Sequence, residues 1–182
     1  MFLYFKMKKI ILMATFAVAS LSANAQAWVG GALGFDFKDQ KDVATTTFFK
    51  IAPEVGYNLS DKWTIALALD LNYTSLNPEV GETVGTTGLT LAPYARYTFA
   101  NAGIASFFVD GGFGIGVEKV KDCDANTIWH VGLRPGVAFT ITDHISFVGT
   151  TGYFGFRHAE DYNHFGLDVN NSIGQIGLYY TF

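Results

Sequence analysis

From residue 27 onward, apolar and polar positions alternate in runs of about ten residues, separated by turn-forming residues. Successive side chains of a strand point to opposite faces, so each run predicts one strand with an apolar face. The clearest covers 63–74, where Trp63, Ile65, Leu67, Leu69, Leu71 and Tyr73 alternate with Thr64, Ala66, Ala68, Asp70, Asn72 and Thr74. Before it, 27–37 carries Val29, Leu33, Phe35 and Phe37 on one face. The run 46–59 sets Phe49, Ile51, Val55, Tyr57 and Leu59 against Lys50 and Glu54. After it, 88–99 sets Leu89, Leu91, Tyr97 and Phe99 against Thr90, Tyr94, Arg96 and Thr98, with Pro93 removing a ladder donor and predicting a local bulge. The run 105–117 alternates Phe107, Val109, Phe113, Ile115 and Val117 with Asp110, Gly112, Gly114 and Gly116. The run 128–141 alternates Trp129, Val131, Leu133, Val137, Phe139 and Ile141 with His130, Gly132, Arg134 and Gly136. The seventh run, 145–156, is poorly patterned and shows no clear apolar face. The eighth ends on Ile176, Leu178, Tyr180 and Phe182, opposite Gln175, Gly177, Tyr179 and Thr181.

The connections alternate in length. Residues 60–62, 100–103 and 142–144 make short turns, whereas 38–45, 75–86, 118–127 and 157–166 read as longer polar loops. That rhythm predicts an all-β, eight-stranded antiparallel up-and-down transmembrane β-barrel, with short turns at one end, long loops at the other and both chain ends beside the short turns.

Charge decides which face meets the interior. Lys50, Glu54, Asp70, Arg96, Asp110 and Arg134 all lie opposite the apolar face. On a lipid-facing surface each would cost about 2–4 kcal/mol, so they belong inside. An isolated interior ion is also costly, and three acids against three bases predict a paired polar network. The inward glycines 112, 114, 116, 132 and 136 leave room for Arg96, Arg134, Tyr94 and Tyr179. Trp63, Tyr57, Tyr97 and Phe99 fall at the short-turn ends, where an aromatic girdle belongs. A soluble lipocalin-like barrel, with a ligand cavity, would invert these facings.

The start of the chain agrees with an exported protein. Lys6, Lys8 and Lys9 precede an apolar run over 10–21 and the small residues 22–27, which together predict a signal peptide over 1–25. Cleavage follows Ala25 or Ala27, and Met7 would itself open a well-formed signal. The remainder, 26–182, is one barrel domain. Loss of the leader removes three of the 12 basic residues, leaving nine against 16 acids, a formal charge of −7. Such a surface argues against nucleic acid as a partner. Cys123 is the single cysteine, so no intramolecular disulfide forms.

The strand count, the turn Asn58-Leu-Ser-Asp-Lys-Trp63 and the ending Tyr180-Thr-Phe182 resemble the small bacterial outer-membrane β-barrel proteins, the OmpX-like proteins and the barrel domain of OmpA-like proteins. The resemblance spans the mature chain and implies a place in the outer membrane, among its lipid and lipopolysaccharide. It also implies that Tyr180 and Phe182 serve as a signal to the barrel assembly machinery. It implies no particular activity, since members share a fold more than a chemistry.

No catalytic constellation stands out, and no cofactor is expected. An eight-stranded barrel is just wide enough to be filled by its own side chains, which disfavours an open channel. His144-Ile-Ser146 beside Asp143 has the spacing of a lipid A deacylase pair, but the topology puts it at the end away from lipid A. His158, Glu160, Asp161 and His164 gather metal-ligating groups on one long loop, where a solvated loop is the simpler reading. The stretch Asp122-Cys-Asp-Ala-Asn126 resembles half a calcium loop but lacks its Gly and bidentate Glu. The leading expectation is a non-enzymatic envelope protein, structural or displaying its loops to an external partner. A lipid A-modifying enzyme and a narrow channel stand as alternatives.

Overall fold

The computed structural model describes residues 26–40, 44–78, 81–121, 123–159, 162–168 and 175–182. Strands β1 (Ala27–Gln40), β2 (Ala44–Asn58), β3 (Trp63–Pro78), β4 (Val84–Ala102), β5 (Ala105–Val120) and β6 (Ala125–Thr140) pair antiparallel in chain order. Next come β7 (Ile145–Thr150), β8 (Tyr153–Ala159), β9 (Tyr162–Asp168) and β10 (Gln175–Thr181). Strand β10 lies between β7 and β1, so β1 to β7 and β10 close an eight-stranded ring. The extra hairpin β8–β9 extends the wall above β7, with β8 paired to the upper part of β6.

Period-2 burial runs through the long strands: along β2, Lys50, Ala52, Glu54 and Gly56 are buried while Ile51, Pro53 and Val55 are exposed. The apolar residues are the exposed ones, so the wall is inside-out relative to a soluble barrel. Trp63 and Tyr73 lie ten residues apart on one outward face, as do Trp129 and Phe139. Ten residues at about 3.4 Å, tilted about 40°, span roughly 25 Å, the height of a membrane barrel's apolar band.

Three expectations need correction. Among the described residues the long polar loops are mostly strand: the hairpins β1–β2, β3–β4 and β5–β6 stay paired to Gln40, Leu76 and Lys119, and residues 157–159 and 162–166 belong to β8 and β9. Paired backbone carries polar side chains as readily as a loop does when both faces meet water, so polarity alone did not separate the two. Second, Pro93 makes no bulge. The registers Leu91↔Ile115 and Tyr94↔Gly112 agree across it, and only the ladder toward β5 is interrupted where its N–H is missing. The bulge of β4 sits at Phe99, between Thr98↔Phe108 and Ala100↔Phe107.

The third concerns the seventh run, which is two strands. Residues 151–153 oppose only Arg134 and Pro135 of β6, an extra residue that bends the strand at Gly152, whose φ is 71°. Outward parity therefore passes from Phe147 and Gly149 to Phe154 and Phe156, which hides the alternation. Thr151 N–H donates to the Pro135 carbonyl across the bulge at 3.1 Å.

The lumen is narrow, and a side chain placed at Gly56 would run into the Trp28 ring. Gly56→Val is expected to lower the unfolding free energy in detergent or lipid by about 1–3 kcal/mol through overpacking, read as a lower urea midpoint with an unchanged slope.

Candidate functional site

The short-turn half of the lumen is filled by side chains from five strands. Trp28 of β1 stacks on Tyr179 of β10, with ring centroids 4.4 Å apart. The Tyr179 hydroxyl donates to Glu54 Oε2 of β2 at 2.9 Å, and the Tyr94 hydroxyl of β4 donates to the same oxygen at 2.6 Å. Two neutral donors thus hold a carboxylate that is only 4 % exposed. Beside it, Arg96 clasps Asp110 of β5 through Nε–H at 2.7 Å and Nη2–H at 3.0 Å. Its guanidinium lies 3.7 Å from the centroid of the Phe108 ring, so the cation is paired on its edge and covered on its face.

Arg134 is held more loosely. Its Nη2 stands 3.9 Å from Asp110 Oδ2, and its Nη1 donates to Gln175 Oε1 at 3.2 Å. Lys50 forms a separate pair with Asp70 at 2.6 Å. The six charged residues singled out from the sequence therefore all lie in the lumen. Five form ion pairs, and Glu54 is bonded by tyrosines. The void beside them, bordered by Glu54, Arg134, Thr150, Gln175 and Tyr179, has no room for a water-sized sphere. Among the described residues, every buried side-chain nitrogen and oxygen has a hydrogen-bond partner.

Trp28 and Phe108 escaped the sequence reading. Phe108 is 1 % exposed and sits between two outward apolar residues, Phe107 and Val109, so alternation did not single it out. A signal was present nonetheless: five of the bulky lumen rings face a glycine directly across the ladder. The pairs are Trp28↔Gly56, Tyr94↔Gly112, Phe108↔Gly136, His130↔Gly114 and Tyr179↔Gly30. Of the room expected for Arg96, Arg134, Tyr94 and Tyr179, only that for Tyr94 comes from a glycine named in advance. Gly114, Gly132 and Gly136 make way for His130, Tyr153 and Phe108 instead.

The other candidates are not assembled. The His144 ring stacks on the outward ring of Tyr180, and its Nδ1 lies 2.9 Å from the Thr181 carbonyl. Ser146 is paired with Tyr179 on the lumen side, so imidazole and hydroxyl lie on opposite faces of the wall. His158 bonds Asn163 at 2.6 Å on the outward face of the β8–β9 hairpin. His164 pairs with Arg157 on the inward face, so the two imidazoles cannot share an ion. Glu160, Asp161 and Asp122 lie outside the described residues. Tyr180 points outward at the short-turn end, with its ring edge-on to Phe182 at 5.4 Å.

Comparison with known proteins bears on the whole chain. Residues 10–182 match the family model described as the outer membrane protein beta-barrel domain. The crystal structure of the outer membrane protein OprG from Pseudomonas aeruginosa is similar, with a TM-score of 0.53 and 16% identity, over 86% of this chain and 94% of that one. Neisserial surface protein A (NspA) is similar at a TM-score of 0.51 and 16% identity, over 87% and 98% of the two chains. At such identities the likeness is one of fold. No curated protein sequence matches.

The Arg96–Asp110 pair gives a sharp test of the lumen. Asp110→Asn leaves a buried guanidinium uncompensated and is expected to destabilise the barrel by about 3–5 kcal/mol. Combining it with Arg96→Met should recover much of that loss, as read by a double-mutant cycle on the urea midpoint.

Proposed function

We propose a function from one premise: the chain belongs to the outer membrane protein beta-barrel domain family. Within the bacterial outer membrane, it acts as a sealed, non-enzymatic barrel that presents its long hairpins to the exterior. The observation that carries this reading is the plug in the short-turn half of the lumen, where Glu54, Arg96, Asp110, Phe108, Tyr94 and Tyr179 interlock and the void beside Glu54 and Tyr179 has no room for water. A solute would have to break several buried charge-assisted bonds at once to pass. The separation of His144 from Ser146 argues in the same way against a deacylase.

The working surface is then the outer end. Beyond Tyr73, β3 runs five more residues to Pro78, which lifts the hairpin roughly 12 Å above the apolar band. A rigid paired extension displays its edges and side chains in a fixed geometry, suited to a partner that adds a strand or docks on a face. Export by a leader over 1–25, delivery to the assembly machinery through the strand ending in Tyr180 and Phe182, and contact with lipopolysaccharide complete the proposal.

Reconstituted in a planar bilayer, the protein is expected to stay silent, without stepwise conductance. Lipid A extracted from cells with and without the gene is expected to have one mass. Stepwise openings would replace the sealed barrel with a narrow channel, and a mass change abolished by His144→Ala or Ser146→Ala would make it an enzyme.

A further inference from the structure

We propose that the outer wall of the barrel holds one zwitterionic glycerophospholipid of the inner leaflet, its acyl chain in a dimple on the β3–β5 face and its headgroup at the Asp61–Lys62 turn. The proposal rests on the membrane reading above. Most outward positions carry Leu, Ile, Phe or Val, but Pro93, Ala95 and Gly111 do not. Ala95 and Gly111 are direct cross-strand partners, so only the Ala95 methyl and the edge of Leu133 rise from the wall at that point. Tyr57, Leu67 and Phe113 border this floor, making a shallow, open depression of about 620 Å³.

Depth and charge choose the occupant. Tyr97 pairs with Trp63 in the girdle at the short turns, with ring centroids 4.8 Å apart. Ala95 and Pro93 lie two and four residues above Tyr97, or roughly 5 and 10 Å along the membrane normal. The dimple thus lies within the hydrocarbon of the periplasmic leaflet, where glycerophospholipid and not lipopolysaccharide resides. The turn below it carries one acid and one base, both exposed, and Lys62 is the one Lys or Arg among the described short-turn residues. The Lys62 carbonyl accepts from Thr98 N–H at 2.8 Å, which fixes that turn to the strand bearing Pro93 and Ala95. A phosphate at Lys62 and an ammonium at Asp61 match the headgroup of phosphatidylethanolamine.

A second copy of the chain fits less well. A two-fold contact would set dimple against dimple, with the surrounding rings touching and the void doubled. A single flexible chain fills the same space without that void.

The full chain, extracted from outer membranes in mild detergent and examined by native mass spectrometry, should retain one added phosphatidylethanolamine in preference to phosphatidylglycerol. Gly111→Leu and, independently, Ala95→Leu fill the floor from the lipid side and should cut retention by about tenfold or more, with the heat-induced gel shift kept. Lys62→Ala should abolish the preference between the two lipids. Retention equal to wild type in both filled variants, a stable dimer, or no headgroup preference in the wild type would overturn the site while leaving the barrel intact. A soluble chain with no heat-induced shift would overturn the membrane reading, and the site with it.

Discussion

The volume of the lumen is the constraint on which the rest of this protein depends. Eight strands enclose a space that side chains can just fill, and nothing else relieves a mismatch. An inward ring is therefore best placed opposite an inward residue with no side chain. The ladder shows this at Trp28↔Gly56, Tyr94↔Gly112, Phe108↔Gly136, His130↔Gly114 and Tyr179↔Gly30. The glycines weaken each strand locally, at about 0.5–1 kcal/mol relative to Ala. That loss is offset by rings that stack inside the lumen, as Trp28 and Tyr179 of the paired strands β1 and β10 do at 4.4 Å.

Filling the lumen with charge adds a second condition. With lipid outside, the polar residues of every strand are forced inward, where an unpaired ion would be costly. Arg96 satisfies it most fully, with Asp110 on its edge and Phe108 under its face. Glu54 does so by two tyrosine hydroxyls. Those tyrosines come from β4 and β10, so the bonds tie the closing strand to the opposite wall. The contacts that fill the lumen also fix the circumference, so the same bonds that pack the interior hold the barrel closed.

Fold and facing were legible from the sequence wherever one physical rule acted alone. Alternation fixed β3, because Trp63 to Tyr73 have lipid on one side and lumen on the other throughout. It failed at 145–156, because the extra residue at Gly152 exchanges the two faces midway. It also failed above the apolar band, where water bathes both faces and the selection for alternation disappears; residues 157–159 of β8 and 162–166 of β9 were read there as loop. Proline misled for a related reason. Pro93 faces lipid in a strand whose other neighbour supplies the remaining bonds, so the missing N–H interrupts one ladder without shifting its register. Of the lumen residues, the charged ones stood out by their cost in lipid, whereas Trp28 and Phe108 carry no such mark. Only their glycine partners betray them, and those partners become visible once the register is known.

The closing strand shows how these rules converge. Strand β10 has seven residues, yet it pairs with β1 on one side and β7 on the other. Its inward residues, Gln175, Gly177, Tyr179 and Thr181, bring the second tyrosine to Glu54 and a partner to Arg134. Its outward residues face lipid, down to the girdle ring of Tyr180. At the end of the strand, the turn before β7 reaches over: the His144 carbonyl accepts from Thr181 N–H at 2.8 Å, and the His144 ring covers Tyr180. Because the Thr181 carbonyl can only accept, His144 donates its Nδ1–H there. The histidine that would have been a catalytic base is thus a clasp on the last strand. An apolar, aromatic ending is what closure of such a barrel requires of the chain, because the final strand must satisfy lipid, lumen and both neighbouring edges within a few residues.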